Sequence, residues 1–518
     1  MGKLLRFFKP YKWQVLLIVA FTFVQAISQL YLPNLMSDIV NEGVMNEDIS
    51  LILKTGGVML VFTLVVSICT IIARYFASRT AVGMARDIRG AIFKKVTNYS
   101  LHEFDKIGTA SLITRSTNDV TQLLNVYVVI LTMLLAAPIT AVGGLILALE
   151  KDVSLSWIIV VVVAVMGILI GLVATKAINL FKSLQLKIDN VNLVLRESLT
   201  GIRVVSAFNK KEYETARFDD ANKDLTDTSI KVFKLMGIMM PSIMLIMNLT
   251  TVAIIWFGAQ RMQTGDLLIG DMMAFQQYVM QIMMSLIMAV MMFVMLPRAS
   301  ASAKRINEVL DMEQEITDPA SPMQSDGKRG YVEFKDVCFR FHGASECAVS
   351  SISFTAKPGE TTAIIGGTGS GKSTLVNLIP RFYDAQEGQI LVDGINVKDY
   401  SQEELREKIG FVPQKVNIFH GTIADNIRYG KDDASEDEIL SALTTAQAID
   451  FVSEMEDGIH SKVSQGGTNY SGGQKQRLSI ARALIRKPEI YIFDDSFSAL
   501  DFKTDAKLRK AFSLLPKE

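Results

Sequence analysis

The chain has 518 residues, with 53 Lys and Arg balanced by 53 Asp and Glu, so its formal net charge is zero. Hydrophobic residues make up 49%, charged residues only 20%, and mean hydropathy is +0.29, the balance of a membrane protein with a soluble part. Zero net charge excludes a basic chain that coats nucleic acid, and the length allows roughly two to four domains. Three cysteines, Cys69, Cys338 and Cys347, are too few for a disulfide framework and read as reduced, cytosol-facing thiols.

Apolar runs fill the first 300 residues. The first extends from Trp13 to Met36, and others cover 53–78, 124–149, 153–175, 236–260 and 268–297. Each meets the ~20 residues needed to cross a hydrocarbon core of ~30 Å, so six spanning helices are expected. The first run is too long for a signal peptide and lacks a small-residue cleavage site.

Lys and Arg are distributed unevenly between the loops. Lys3, Arg6, Lys9 and Lys12 precede the first span, whereas Ser37–Leu51 holds Asp38, Glu42, Glu47 and Asp48 with no Lys or Arg. The connection after the second span carries Arg79, Arg86, Arg89, Lys94, Lys95, Lys106 and Arg115. Lys176, Lys182, Lys187, Arg196, Arg203, Lys210, Lys211 and Arg217 follow the fourth. The positive-inside rule puts both termini and both long connections in the cytoplasm. Neither connection contains proline, and apolar residues recur in them at helical spacing. Arms of about 22 residues would reach ~30 Å beyond the membrane. Gly108 and Gly201 are the expected points of chain reversal.

Residues 301–330 turn polar and linker-like, with Pro319, Pro322, Ser325 and Asp326. From Tyr331 onward, strand and helix patterns alternate. The fold class is therefore a multi-domain membrane protein: a six-helix transmembrane domain (1–300), a linker (301–330) and an α/β domain (331–518), which the motifs that follow make a P-loop nucleotide-binding domain.

The chemistry lies in the last domain. Ala363-Ile364-Ile365 reads as a buried strand that runs into Gly366-Gly367-Thr368-Gly369-Ser370-Gly371-Lys372-Ser373-Thr374, with an apolar helix after it. This is the phosphate-binding pattern in its strand–loop–helix context. Backbone N–H groups of the glycine-rich turn cradle phosphate oxygens, Lys372 adds charge, and Ser373 offers a hydroxyl to Mg²⁺. Further on, the apolar strand Ile490-Tyr491-Ile492-Phe493 ends in Asp494-Asp495: one carboxylate for the metal and one to orient water.

Between these motifs lies Asn469-Tyr470-Ser471-Gly472-Gly473-Gln474-Lys475-Gln476-Arg477. With this run the whole chain resembles the ABC transporter superfamily, in the layout of an exporter half-transporter. The resemblance implies ATP and Mg²⁺ as cofactors. Ser471, Gly472, Gly473 and Gln474 would complete the ATP site of a partner subunit. It also implies that Phe341, 25 residues before Gly366, stacks on adenine. Gln414 would touch Mg²⁺ and couple to the membrane, Gln465–Gly467 would be the exporter loop before the signature, and Ser498–Asp501 the D-loop. Phe104–Thr109 and Phe208–Glu212 would be the coupling turns.

Two departures from the family pattern stand out. The family's catalytic base after the Walker B aspartate is Glu; here it is Asp495, one methylene shorter and placed to fall ~1 Å short of the attacking water. Heterodimeric exporters of the family carry this change in one subunit. A second, different half-transporter is therefore the favoured partner, and a homodimer the alternative. The chain also stops at Glu518, 17 residues past Asp501, before the family's switch histidine, so the C-terminal end of the domain is expected to be missing and its sheet underpacked.

The sixth apolar run carries Met272, Met273, Met280, Met283, Met284, Met288, Met291, Met292 and Met295, and the fifth Met236, Met239, Met240, Met244 and Met247. Gln276, Gln277 and Gln281 add neutral polar groups, and no charged residue occurs between Met272 and Leu296. Such a path suits amphipathic or apolar cargo, drugs or lipids, crossing a plasma membrane. Ordinary helix packing accounts for the same methionines. A different reading of the whole chain is a regulatory subunit that binds ATP with little turnover of its own.

Overall fold

The computed structural model describes residues 2–323, 327 and 329–514. Ser325, Asp326 and Glu518 lie outside the described residues, as does the side chain of Met291. Two compact units divide the chain: residues 1–95 with 110–311, and residues 96–109 with 312–518.

The first unit is helical. After a 3₁₀ stretch at Gly2–Tyr11 come α1 (Lys12–Asp38) and α2 (Ile49–Val96). The short α3 (Leu101–Ile107) belongs to the second unit. The first unit continues with α4 (Thr109–Lys151), α5 (Trp157–Thr200), the short α6 (Ile202–Ala207), α7 (Lys211–Gln263) and α8 (Ile269–Asp311). Among the described residues six helices are long and apolar enough to cross a membrane. Helices satisfy their own backbone groups, which hydrocarbon demands of any spanning segment. On α2, Leu53, Leu60, Leu64 and Ile71 are exposed, as a lipid-facing surface requires.

Helix α5 lies along α7, and α4 along α8, around a core that includes Leu30, Ile159, Phe275, Tyr278 and Met283. Two π-helical turns, Arg115–Asp119 and Ile130–Leu134, interrupt α4. The first brings the buried Asp119 to Arg305 and Ser302 of α8, with Arg305 Nε at 2.7 Å and Ser302 Oγ at 2.9 Å. At the other end of the helices, Lys151 meets Asp271 at 2.7 Å, and Ser37 donates to the same carboxylate. The chain reverses at Gly108, whose φ is +80°, and again where Gly201 caps α5. Phe104–Thr109, expected as a coupling turn, overlaps α3. The expected Phe208–Glu212 spans the turn between the short helix Ile202–Ala207 and α7 and the first residues of α7. Residues 301–311, expected as linker, are the last turns of α8 because Ala303, Ile306 and Val309 continue a buried helical stripe.

In the second unit, β1 (Val332–Phe339) and β2 (Val349–Ala356) form an antiparallel pair, with β3 (Glu387–Val392) on the other side of β1 and β4 (Ile395–Asn396) beside β3. Phe334 stacks on its register partner Phe354 at 4.6 Å. Helix α9 (Lys372–Leu378) follows the glycine-rich loop and covers this sheet through Leu375 and Leu378. Beyond α10 (Gln402–Glu407), β5 (Ile409–Val412) runs parallel to β8 (Ile490–Phe493). A second core gathers β6 (Gly421–Thr422), α11 (Ile423–Arg428), α12 (Glu436–Thr445), α13 (Ile449–Ser453), β7 (Lys462–Val463) and α14 (Gly472–Leu484). Helix α15 (Phe502–Ser513) packs on it through Leu508.

Two expectations fail in this unit. Ala363–Ile365 is neither a strand nor buried: it has no regular secondary structure, and Ile365 is 91% exposed. Among the described residues β5 pairs with β8 alone, and no ladder takes up the segment's backbone groups. Cys338 and Cys347 are not separate thiols: they are joined as a disulfide, with Cα atoms 6.4 Å apart. The β1–β2 hairpin register, with Phe339 opposite Val349, brings them together.

Candidate nucleotide site

The glycine-rich loop ends in Gly371, the N-cap of α9, at φ +85°. A Cβ there would lie 2.6 Å from the carbonyl oxygen of Ala348, so only glycine fits. Lys372 turns its Nζ back onto the carbonyls of Gly366 and Gly367, both at 2.8 Å, where it fixes the mouth of the cradle. No atom would meet a Cβ built on Gly367 or Gly369 within 4 Å, so the outer wall of the loop is open to an incoming ligand. Thr368 and Ser370 are exposed on that wall, and Thr374 sits in the first turn of α9.

Ser373 donates its hydroxyl to Asp494 Oδ1 at 2.8 Å, and the Asp494 N–H donates to Val412 O at 3.0 Å. The phosphate loop, β8 and β5 thus converge on one carboxylate. The next residue, Asp495, takes a left-handed φ of 49°. Its Oδ2 accepts the Gln414 amide Nε2–H at 3.1 Å. A hydroxyl, a carboxylate and an amide oxygen are hard, sparse donors, the set that suits Mg²⁺ completed by water and phosphate. These residues fit the cofactors that the sequence implied.

The signature residues form a helix start. Ser471 and Gln474 make a reciprocal capping box on α14, with Gln474 N to Ser471 Oγ at 3.3 Å and Ser471 N to Gln474 Oε1 at 2.9 Å. Gly472 lies exposed at this end, and a Cβ on Gly473 would meet Ala499 O at 2.9 Å. Asp501 caps α15 through the Thr504 N–H at 3.2 Å and hydroxyl at 3.1 Å, and these bonds hold its carboxyl below the ordinary value.

Phe341 stands on the β1–β2 hairpin, 43% exposed, edge-on to Phe339 at 4.9 Å and to Tyr383 at 5.7 Å. Sequence reasoning missed Tyr383, whose only signal was an aromatic eleven residues past Lys372. It also missed Gln476, whose Oε1 accepts the Ala499 N–H at 3.3 Å and ties α14 to the Ser498–Asp501 segment. Arg477 holds the Gln447 carbonyl at 2.7 Å and lies over the Phe451 ring at 4.7 Å.

In the helical unit a cavity of about 160 Å³ opens between α4 and α8. Met133, Met288 and Met292 line it with Pro138, Leu286 and Ser285. The Ser285 hydroxyl is turned back onto Ile282 O at 2.7 Å, which leaves the wall apolar. Met283 is buried in the core, and Met284 is exposed. Of the glutamines, Gln276 reaches Thr251 at 3.5 Å, Gln277 is exposed, and the buried Gln281 Oε1 has no hydrogen-bond partner among the described residues.

Two family models match the chain. Residues 15–286 match the ABC transporter transmembrane region and residues 349–498 the ABC transporter domain. An uncharacterized ABC transporter ATP-binding protein of Mycobacterium tuberculosis is 42% identical over 504 residues, covering 96% of this chain and 86% of that protein. The ATP-dependent lipid A-core flippase of Chromobacterium violaceum is 30% identical over 506 residues, 98% of this chain and 86% of the flippase. The structure of a bacterial Atm1-family ABC exporter with ATP bound superposes with a TM-score of 0.77 at 23% identity, covering 98% of this chain and 88% of that one. The chain belongs to the ABC transporter family, as a half-transporter with its membrane and ATP-binding domains on one polypeptide.

Proposed function

We propose that this half-transporter exports amphipathic or hydrophobic compounds, drugs or lipids, across the cytoplasmic membrane, with both termini in the cytoplasm. The Ser373–Asp494 bond carries the nucleotide part of this reading. Ser373, Asp494 and Gln414 would hold Mg²⁺, and Lys372 with the loop from Gly366 to Thr374 would hold the phosphates. Bound ATP supplies the phosphoryl group whose hydrolysis resets the transport cycle. Asp495 holds and orients water beside that group, and Phe341 presents a ring face for adenine. Two chains would close around two composite sites, Ser471–Gln474 and Asp501 of each facing the nucleotide of the other, and that closure would switch the membrane helices between two arrangements. The apolar cavity walled by Met133, Met288 and Met292 supports an apolar cargo, and a lipid A-core flippase among the relatives points the same way.

Asp495 supports a slow site in this chain and hence a partner with a competent one. A different half-transporter is the favoured partner. Vectorial movement of a fluorescent lipid or dye in reconstituted vesicles tests the reading. ATP-dependent accumulation that Lys372→Ala abolishes supports export, whereas tight ATP binding with no accumulation in the presence of any candidate partner favours the regulatory reading.

A further inference from the structure

Cys338 and Cys347 close a hairpin loop whose tip carries Phe341. Both sulfur-bearing residues are partly exposed, and Cys69, the free cysteine, is buried in α2. One arm of the loop is anchored on the residue that leads into β3: the Gln386 N–H donates to Cys338 O at 3.1 Å, and the Gln386 side chain bonds Arg340 N and O at 2.7 and 3.0 Å. The other arm runs Cys347–Ala348–Val349 directly under the phosphate loop, where Ala348 O and a Val349 methyl lie 2.6 and 3.3 Å from the place a Gly371 Cβ would occupy. The two cysteines therefore join the arm that positions the adenine platform to the arm that supports the phosphate cradle. Between them, residues 340–346 are all exposed, and the bonds inside this tip include a backbone turn from Ala344 N to Phe341 O at 3.0 Å.

We propose that the Cys338–Cys347 pair is a peroxide-sensitive latch on nucleotide affinity, a modification site that rests on reading Phe341 and Gly366–Thr374 as the ATP site. A peroxide takes the thiolate of one cysteine to a sulfenic acid, its O–O bond breaking and one oxygen leaving as water. The second thiol then displaces the sulfenic oxygen as a second water, and the S–S bond forms. The balance is two thiols and one peroxide to one disulfide and two waters. A low-molecular-weight dithiol reverses it by exchange. A thiol pair facing a reducing cytosol serves as such a sensor rather than as a permanent staple. Closing the loop removes conformational freedom from Phe341 before ATP arrives, so the disulfide form binds nucleotide more tightly, by about 3- to 10-fold.

The test uses the full chain in lipid nanodiscs, treated with hydrogen peroxide or with dithiothreitol. Peptide mapping by mass spectrometry reads the Cys338–Cys347 link, and titration with a fluorescent ATP analogue and Mg²⁺ reads affinity. The expected result is a linked peptide after peroxide, a several-fold lower Kd, and return of both with dithiothreitol. Cys338→Ser with Cys347→Ser should keep the reduced-state affinity and ignore peroxide; should that pair fail to fold, Cys347→Ala alone serves. An unlinked peptide after peroxide, linkage without a change in Kd, or a peroxide response that survives in the serine variant would overturn the latch. Equal binding in both states removes the latch alone, whereas no binding in either removes the nucleotide-site reading with it.

Discussion

The Ser373 hydroxyl donates to the Asp494 carboxylate across 2.8 Å and joins two motifs 121 residues apart in the chain. Each was a separate sequence signal, and their meeting turns a glycine-rich loop and an acid-tipped strand into one site. Ser373→Ala should therefore leave the fold intact and lose most of the Mg²⁺-dependent part of ATP binding, about tenfold or more in affinity. Titration of a fluorescent ATP analogue with and without Mg²⁺ checks this; an unchanged Mg²⁺ dependence would place the metal elsewhere.

Asp495 presents the second test. It is held by Gln414 at 3.1 Å and is one methylene shorter than the family's glutamate. Asp495→Glu should raise ATP turnover, with a ceiling of about 10²-fold set by the cost of a ~1 Å misplacement. Phosphate release by the variant beside the wild type measures it. A fall in turnover would mean that the left-handed backbone at Asp495 aims the longer side chain wrongly.

Glu103 makes a prediction about pH. Its carboxylate accepts the N–H of Ser100 at 2.6 Å and of Glu315 at 2.7 Å, together with the Ser100 hydroxyl, and so fastens α3 to the segment entering the ATP-binding domain. Burial alone would raise its pKa, but the bonds from Ser100 and Glu315 outweigh burial and hold it below 4.5. A lowered folded-state pKa contributes stability above the unfolded value that is lost as pH falls through the folded one. Glu103→Gln should cost about 1–3 kcal/mol near neutral pH. Thermal unfolding near pH 7 and near pH 4 should show the wild type losing its advantage over the variant at the lower pH. An advantage that stays constant would contradict this role.

Much of the architecture was legible because apolar length is a one-dimensional signal: each of the six runs is a helix. Their ends were less legible. Helix α8 continues to Asp311 because Ala303, Ile306 and Val309 find partners, which composition alone cannot show. The phosphate loop was legible as a motif, but Ala363–Ile365 was misread as a buried strand, since a strand depends on a neighbour that the local sequence does not contain. The pairing of Cys338 with Cys347 follows from hairpin register, and Tyr383 approaches Phe341 through the packing of α9. Neither has a local signature.

Methionines on α8 divide by face, and this gives a fourth prediction. Met288 and Met292 line the apolar cavity, and Met284 does not. Met288→Leu with Met292→Leu should shift the affinity for a fluorescent apolar dye by about 3- to 10-fold, since a branched side chain cannot adapt as the thioether does. Met284→Leu should leave it unchanged. Equal effects at both places would assign the methionines to packing alone.

ATP turnover by the purified full chain, alone in lipid nanodiscs with Mg²⁺, tests the central claim most directly. An ATP-binding half-transporter with Asp495 in the base position should bind nucleotide tightly yet hydrolyse well under about one ATP per second, against the ordinary enzyme range of 1–10³ per second. Several turnovers per second from this chain alone would contradict the slow site, and with it the case for a different half-transporter as partner.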